Sequence, residues 1–514
     1  MNVPAAPSHG DPPGGALLAR VGRWSGPLFF VALLFWDIPG LAPIEQRAAA
    51  VTVFTAIWWL TEAVPIGVAS LLPAVLLPLC GVVDSREVAT AYMNHLILLF
   101  LGAFLLALGL ERWNVHRRVA LQIASRVGGR PRRLVFGFMV AAAFLSMWLN
   151  NTATTLMMLP ICVALVDAVC GKSSDSEQSN RGDGPEAAFG IALLLGVAYG
   201  ASVGGVATPV GTAPNQVFLG LVADSFPERP AFSFAQWTFA FTPLVILFVP
   251  LASFLLTRVL LRVPRDGQAG AEVLTRALRD LGPWRRPERR MAVLFGITAL
   301  LWVTQADLRI GAITIPGWEP VIRRLGAAEL SAATVALAMA IVGFLVPAGG
   351  GERGALLDWN LTKRMPWEVL LLLGGGFALA LGFRSSGLDA RLGEALGPLL
   401  AGLSPWAVTL VIALAVSLLT EITSNTATTQ VLLPVLASAG LAAGVDPYLW
   451  MLPATVAASC AFMLPVATPP NAVVFSSGRV PIARMARIGV ALNLLAVLLI
   501  TLVFQLVGRP ILGI

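Results

Sequence analysis

Charged side chains are scarce in this sequence of 514 residues: they make up 12% of it, against 57% hydrophobic residues. A soluble globular protein carries about 25% charged residues, so the composition argues against a water-soluble fold. Stretches near or above the ~18 apolar residues that a membrane span requires recur along the whole chain. Examples are residues 26–44, 94–110, 236–257, 329–348 and 488–508. The sequence therefore predicts an all-α polytopic membrane protein.

Histidine, lysine and cysteine are also few, with three, two and four residues. The cysteine spacing fits no zinc or redox motif, and no histidine lies near a polar motif, which disfavours a membrane-embedded enzyme. The net charge of +7 comes from arginine. Because the arginines cluster in short loops between apolar runs, they indicate membrane topology and not nucleic-acid binding. We expect no enzymatic activity and no cofactor.

The two halves of the chain repeat each other. Internal repeats in a membrane protein are typical of secondary transporters, and they disfavour a passive channel. Of the three offsets given below, the third is smaller than the other two, and a polar insert at 171–186 in the first half nearly accounts for the difference. Three segments recur in the same order: "LGAFLLALGL" at 101–110 and "GGGFALALGF" at 374–383, with an offset of 273; "NNTATTLMMLP" at 150–160 and "SNTATTQVLLP" at 424–434, with an offset of 274; "GTAPN" at 211–215 and "ATPPN" at 467–471, with an offset of 256.

The placement of arginine predicts that the repeats are inverted. Seven arginines lie in 112–133 and nine in 258–290, so both segments are predicted to face the cytoplasm. The counterpart of 112–133 in the second half has only Arg384 and Arg391, which places that counterpart outside. Counting crossings between these points predicts about eleven transmembrane helices, two re-entrant helical hairpins and a cytoplasmic N-terminus.

Polar motifs interrupt the apolar runs at matching places in the two repeats. Asparagine and threonine favour caps and turns, so "NTATT" at 151–155 and at 425–429 predicts hairpins with their tips at mid-membrane. Glycine and proline in 200–215 and 463–471 predict two broken helices. Helix ends attract anions, and free carbonyls hold small cations. Such motifs also occur where helices merely pack, but two symmetric pairs favour a transport site.

These motifs, with "WWLTEAVPIGVASLLP" at 58–73 and "FLGAFLLALGLERWNVHRRVAL" at 100–121, resemble the divalent anion/sodium symporter family. That family includes sodium-coupled dicarboxylate, tricarboxylate and sulfate transporters. The resemblance runs from about residue 26 to the C-terminus. It implies a homodimer in which each protomer has a scaffold domain and a transport domain that moves as an elevator.

The resemblance, together with the charge pattern, divides the chain into six parts. Two amphipathic arm helices, at 112–129 and at about 384–400, are expected to join scaffold to transport domain. The expected parts are a flexible tail at 1–25, the first scaffold part with its arm at 26–130, the first transport part at 131–262, a cytoplasmic linker at 263–290, the second scaffold part with its arm at 291–400, and the second transport part at 401–514.

The resemblance also implies the site residues, position by position. Two positions depart from the family pattern: Asn150 replaces the usual serine, and Ala213 replaces a proline found in many members. Asn150 still offers a carbonyl oxygen, but it is larger and adds a donor. The implied substrate-binding residues are Asn151, Thr152, Thr212, Ser424, Asn425, Thr426, Thr468 and Pro469. The implied sodium ligands are Ser146, Asn150, Asn151 and Gly211 at a first site, and Thr420, Thr423, Asn425 and Ala467 at a second.

The expected function is sodium-coupled symport of a divalent anion across a bacterial cytoplasmic membrane, with a C4-dicarboxylate such as succinate, malate or fumarate as substrate. The motif segments contain no arginine or lysine, so sodium is expected to neutralise the anion in a low-dielectric site. A sodium-independent dicarboxylate exchanger and a sodium-coupled sulfate or citrate transporter remain open alternatives. Glu421, beside the second motif, is expected to stabilise the packing of the hairpin and not to contact substrate.

Overall fold

The computed structural model of the protein describes residues 13–36, 38–170, 184–265, 269–310, 313–326, 328 and 330–514. Most of these residues are helical, which confirms the predicted all-α membrane fold. Two antiparallel strand pairs also occur, and they are too short for a sequence pattern to predict. The pairs are β1 (Leu308–Ile310) with β2 (Ile313–Ile315), and β3 (Pro347–Gly349) with β4 (Glu352–Ala355).

The first seven helices precede the first polar motif. The expected flexible tail at 1–25 is wrong for residues 13–25, which belong to the first helix, and residues 1–12 lie outside the described residues. The helix α2 ends at the left-handed Glu62, and Pro65, which cannot continue a helix, precedes the short helix that follows. The helices are α1 (Pro13–Phe35), α2 (Pro43–Thr61), α3 (Ile66–Ala69), α4 (Leu72–Leu79), α5 (Ser85–Tyr92), α6 (His95–Arg112) and α7 (Val115–Val127).

The next helices contain the first hairpin and the first broken helix. Most of the predicted polar loop at 171–186 lies outside the described residues. The helices are α8 (Pro131–Ser146), α9 (Asn151–Cys170), α10 (Pro185–Gly204), α11 (Ala213–Ser225) and α12 (Phe234–Phe254), which continues as a π-helix over Leu255–Leu260.

The middle of the chain contains a helix within the predicted linker at 263–290 and the helices of the segment that is predicted to form the second scaffold part. Arg118 on α7 forms a buried ion pair with Glu288 and donates to the carbonyls of Leu281 and Gly282, which fixes the end of the linker to the arm helix. The helices are α13 (Ala269–Asp280), α14 (Arg286–Val303), α15 (Trp318–Arg324), α16 (Ala332–Leu345), α17 (Trp367–Ser386) and α18 (Leu388–Ala401).

The last helices repeat the order of the first hairpin and broken helix. The arm α18 meets the next helix at 118° across a break of a few residues. The helices are α19 (Pro405–Leu419), α20 (Asn425–Ala442), α21 (Tyr448–Ala458), α22 (Pro469–Phe475), α23 (Ile482–Val503), a π-helix over Phe504–Gly508, and α24 (Arg509–Leu512).

Six helices of the described chain are long and apolar enough to cross a membrane, or seven if the bent pair of α18 and α19 is one span. Shorter apolar helices occur at Ile66–Leu79, Ala332–Leu345 and Tyr448–Ala458. The predicted number of eleven transmembrane helices therefore stays a prediction. The six spans are Ser85–Arg112, Asn151–Ala168, Ala187–Ala207, Phe234–Leu260, Trp367–Ser386 and Ile482–Leu512.

The core is centred on α10, whose apolar span is entirely buried. Small residues allow this helix to approach α8 closely. A Cβ atom added to Gly200 would lie 2.7 Å from the Met139 carbonyl oxygen, and one added to Gly196 would lie 2.9 Å from Met139 Cγ. Small residues at helix interfaces of membrane proteins permit such backbone contact.

The hairpin helix of each repeat packs against a helix of the other repeat. The hairpin helix α9 packs against α22 of the second repeat, and its counterpart α20 packs against α11 of the first. Two ion pairs also join the repeats at corresponding places: Arg479 Nη2 lies 2.7 Å from Asp167 Oδ1, and Arg229 Nη1 lies 2.9 Å from Asp446 Oδ1. Each repeat therefore completes the other, as a two-fold relation between them requires.

Candidate transport site

Each polar motif lies where a helix begins after a re-entrant turn. In the first repeat α8 ends at Ser146 and α9 begins at Asn151; in the second, α19 ends at Leu419 and α20 begins at Asn425. Asn150 in the first turn and Thr423 and Ser424 in the second favour caps and turns over helix interiors, so each new helix begins beside them. The motif residues at both tips are partly exposed, while Thr154 and Thr155 in α9 and Thr428 and Thr429 in α20 are buried. The tips are thus accessible to a ligand.

The same side-chain contact forms at both tips. The Ser146 hydroxyl donates to Asn151 Oδ1, and the Thr420 hydroxyl donates to Asn425 Oδ1 at 2.5 Å. Both pairs are related by the offset of 274 that relates the repeats. A hydroxyl and an amide oxygen held side by side supply two of the oxygen ligands that a hard cation prefers.

The two helix breaks are also alike. After α10 a short 3-10 turn over Gly205–Ala207 leads to Thr208, and Asn215 Nδ2 donates to the carbonyls of Gly205 at 3.1 Å and Thr208 at 2.8 Å. After α21, Asn471 Nδ2 donates to the carbonyls of Ala461 at 3.1 Å and Leu464 at 3.0 Å. These carbonyls belong to the segments between α10 and α11 and between α21 and α22, so each asparagine stabilises the unwound segment of its own repeat.

Each break lies against the hairpin tip of its own repeat. A Cβ atom added to Gly205 would lie 2.8 Å from Asn151 Oδ1 and 2.9 Å from the Gly211 carbonyl oxygen. The Thr420 hydroxyl is 3.2 Å from the Ala458 carbonyl oxygen at the end of α21. Three of the four residues expected at the first sodium site, Ser146, Asn151 and Gly211, are therefore grouped around Gly205.

Contacts also join the two repeats at this level. Thr212 Oγ1 of the first break lies 3.4 Å from Ser459 Oγ, the residue after the Ala458 carbonyl that Thr420 contacts. The Tyr199 hydroxyl donates to the Phe462 carbonyl at 2.8 Å. The first repeat thus contacts the second break directly, through Thr212 with Ser459 and Tyr199 with Phe462.

Other residues expected at the site form hydrogen bonds within their own hairpin. Asn150 Oδ1 accepts the Thr152 N–H at 2.8 Å and so caps α9, whereas Ser424 makes no such side-chain cap. The amide oxygen has a second lone pair and remains able to bind a cation. The hydroxyl of Thr423 donates to the Leu419 carbonyl and lies 2.6 Å from Thr428 Oγ1.

The remaining expected residues lie at the two helix starts after the breaks. Thr212 and Thr468 are the N-cap residues of α11 and α22, and Thr468 Oγ1 accepts the Asn471 N–H at 3.3 Å. Pro469 is exposed at the first position of α22, where proline is favoured, and Ala213 occupies the equivalent position of α11. Ala467 is buried and donates its N–H to the Leu464 carbonyl. Thr426 is partly exposed in the first turn of α20.

Sequence interpretation missed three residues that build this region. Asn215 and Asn471 end the motifs "TAPN" and "TPPN", so their repetition was a usable signal. Ser459 gave no such signal, because its counterpart in the first repeat is Val203. Glu421 makes the packing contacts that were expected, since its buried carboxylate accepts backbone N–H groups of the second break. That it does not contact substrate stays a prediction.

Comparison with known proteins agrees with this architecture. The model of the sodium:sulfate symporter transmembrane region matches residues 27–514. The chain belongs to the divalent anion/sodium symporter family. The sodium-dependent dicarboxylate transporter SdcS of Staphylococcus saprophyticus is 39% identical over 500 residues, which cover 96% of this chain and 92% of that protein. SdcS of Staphylococcus aureus strain bovine RF122 is 38% identical over 497 residues, with the same coverage.

Two solved structures of more distant proteins share the fold of this symporter. The YdaH transporter of Alcanivorax borkumensis superposes with a TM-score of 0.54 at 16% identity, over 96% of this chain and 98% of that one. MtrF of Neisseria gonorrhoeae superposes with a TM-score of 0.57 at 13% identity, over 97% of this chain and 99% of that one. At such identity the likeness concerns the arrangement of helices alone.

Proposed function

We propose that this membrane protein is a sodium-coupled symporter of a C4-dicarboxylate such as succinate, malate or fumarate, in the cytoplasmic membrane of a bacterium, with its N-terminus inside. The observation that carries the proposal is the hydroxyl–amide pair, formed once at each hairpin tip by Ser146 with Asn151 and by Thr420 with Asn425. Relatives that share 38–39% of the sequence carry the name of sodium-dependent dicarboxylate transporters.

Substrate binding follows from the four helix starts in this region. The N-termini of α9, α20, α11 and α22 carry partial positive charge, which favours an anion, although the two prolines that begin α22 have no N–H to donate. The side chains of Asn151, Thr152, Asn425 and Thr426 add neutral donors. A dianion brings more negative charge than neutral donors balance, so sodium at the two hydroxyl–amide pairs supplies the rest and couples the two substrates.

Uptake into proteoliposomes tests this function. Labelled succinate should accumulate under an inward sodium gradient and should not accumulate in choline, because the anion site lacks charge balance without sodium. Equal uptake in choline and sodium, with rapid exchange against internal succinate, would identify a sodium-independent exchanger instead. Stronger competition by sulfate or citrate than by malate would assign the symporter to one of those anions.

Two variants test the site itself. Asn151→Ala and Asn425→Ala should each abolish sodium-dependent uptake while the protein still inserts and purifies, because each removes one member of a hydroxyl–amide pair. Asn360→Ala is the matched control, since Asn360 is exposed on a different segment and bonds only Asp358. Normal uptake by both site variants would exclude these residues from the site.

We propose further that the transport domain moves as an elevator against the scaffold of a homodimer. In this structure the two parts touch through polar contacts: Asn94 Nδ2 lies 3.3 Å from both Asp224 carboxylate oxygens, and Arg384 Nη1 donates to Ser225 Oγ at 3.0 Å. Gln430 Nε2 donates to a scaffold carbonyl on α17 at 2.6 Å. A moving domain has to release all of these contacts.

A reversible cross-link tests the motion. The double variant Asn94→Cys, Asp224→Cys places two thiols at side chains that are in contact, so mercury(II) should bridge them and stop uptake until a thiol reagent removes it. Each single variant is the control for reaction with the native cysteines. Unchanged uptake by fully bridged protein would contradict movement at this interface.

A further inference from the structure

The second half of α12 exposes a stripe of apolar side chains. Leu247, Leu251 and Phe254 are exposed, and their spacing of four and three residues places them on one face of the helix. Arg258 follows four residues later, and its guanidinium carbon lies 5.3 Å from the centroid of the Phe254 ring. This segment is long and apolar enough to cross the membrane, where lipid acyl chains cover exposed apolar side chains. The stripe therefore ends in a positive charge.

Two further arginines lie at the end of the stripe. The Val263 N–H donates to the Thr257 carbonyl at 2.8 Å, so the chain folds back on the end of the π-helix. Arg132, in the first turn of α8, donates from Nε to the Val263 carbonyl at 2.6 Å. The charges of Arg258 and Arg265 both repel the guanidinium of Arg132. Two guanidinium groups thus lie within electrostatic range of a third.

These three arginines have no negative partner in the part of the chain that the structure describes, where the ion pairs involve other residues. Arg258 and Arg265 are exposed, and Arg132 is partly buried. Like charges brought close together raise the free energy of the folded state unless an anion neutralises them. The cluster is therefore complementary to an anion.

The anion that fits this place also has an apolar part. A phospholipid phosphate accepts paired N–H groups of guanidinium, and an acyl chain covers the apolar stripe. A free phosphate leaves the stripe uncovered. A second copy of the same face brings arginine against arginine, which is unfavourable. An anionic phospholipid alone among these three matches both the charge and the stripe.

We propose that Arg132, Arg258 and Arg265 bind the headgroup of an anionic phospholipid such as phosphatidylglycerol, with an acyl chain along Leu251 and Phe254. Each arginine at a membrane surface strengthens the binding of anionic lipid by about fivefold. Because Arg132 belongs to α8, which leads to the first hairpin tip, the lipid joins the base of that hairpin to the end of α12. A lipid bound in this way stabilises the folded protein.

The test measures thermal unfolding of the purified full-length protein in micelles of a neutral detergent with rising mole fractions of lipid. Choline replaces sodium in the buffer, so the result does not depend on the proposed sodium coupling. Phosphatidylglycerol should raise the unfolding temperature until it saturates, and phosphatidylcholine, which has no net charge, should raise it much less. Inorganic phosphate at the same total concentration should have no effect. Equal stabilisation by both lipids, or by phosphate, would overturn the proposal.

A double variant locates the lipid. Arg258→Gln with Arg265→Gln removes two charges and should raise the mole fraction of phosphatidylglycerol for half-maximal stabilisation by roughly twenty-fivefold. Arg276→Gln with Arg279→Gln removes two exposed arginines of α13 and is the matched control, which should change that mole fraction by less than about twofold. An equal rise in both double variants, or no rise in the first, would contradict a site at the end of the stripe.

A single variant keeps the test decisive if the double variant does not fold. Arg265 is exposed and makes no hydrogen bond to the described residues, so Arg265→Gln should fold normally. It should raise the half-maximal mole fraction by about fivefold, while its control Arg276→Gln should stay within about twofold. A changed ratio of monomer to dimer in Arg265→Gln, with unchanged stabilisation by phosphatidylglycerol, would assign this face to a second copy of the chain and reject the lipid site.

Discussion

The paired asparagines Asn215 and Asn471 allow the two helix breaks to be perturbed independently. Each amide nitrogen donates to carbonyls of its own break: Asn215 Nδ2 lies 2.8, 3.1 and 3.3 Å from three carbonyl oxygens, and Asn471 Nδ2 lies 3.0 and 3.1 Å from two. A net hydrogen bond is worth about 1 kcal/mol, and a buried group left unsatisfied costs about 1–3 kcal/mol. Replacement by alanine should therefore lower the free energy of unfolding by about 2–4 kcal/mol in each case.

The assay is unfolding of the purified protein in detergent, followed by a sodium titration of the folded fraction. Because each variant loses the hydrogen bonds of one amide group, Asn215→Ala and Asn471→Ala should lower the free energy of unfolding by similar amounts. Both variants should also weaken the activation of uptake by sodium. Asn360→Ala, at an exposed site, should change stability by less than about 0.5 kcal/mol. Losses below about 0.5 kcal/mol in both asparagine variants would refute the view that these amides hold the breaks open.

Two further substitutions follow from close contacts. Arg118→Ala leaves the buried carboxylate of Glu288 uncompensated and should cost about 3–5 kcal/mol in unfolding, whereas the double replacement of both residues by methionine should recover more than half of that loss. Equal losses in the single and double variants would argue against an ion pair. Gly205→Ala should remove sodium-dependent stabilisation, because the added methyl would lie 2.8 Å from Asn151 Oδ1. Gly402→Ala, which meets open space, is its control, and sodium stabilisation of Gly205→Ala equal to that of Gly402→Ala would contradict the contact.

The positions of the helix breaks were predictable from local chemistry. Helices α9 and α20 begin at Asn151 and Asn425 within the polar motifs, and α11 and α22 begin directly after Thr212 and Thr468. Asparagine, threonine, glycine and proline act on the backbone within a few residues, so their effect is visible in sequence. The inverted orientation of the repeats was predicted from arginine placement, and it stays a prediction.

Contacts between distant segments were not predictable in the same way. The proximity of Thr212 and Ser459 depends on packing between residues far apart in sequence, and Ser459 has no polar counterpart in the first repeat. The N-terminal boundary was wrong because the polar residues near Pro13 mask the start of α1. The domain boundaries and the eleven spans stay predictions, since length and composition identify only six or seven spans.

The exchange of partners between repeats has a consequence for biogenesis. Helix α9 is synthesised in the first third of the chain, yet its packing partner α22 comes close to the C-terminus. Domains generally fold as the chain emerges, N-terminal parts first. The first hairpin therefore stays without this packing partner until nearly the whole protein has been inserted. A truncation that removes α22 leaves α9 without its packing partner. The segment that the cell's quality-control machinery recognises as misfolded should then lie far upstream of the missing residues.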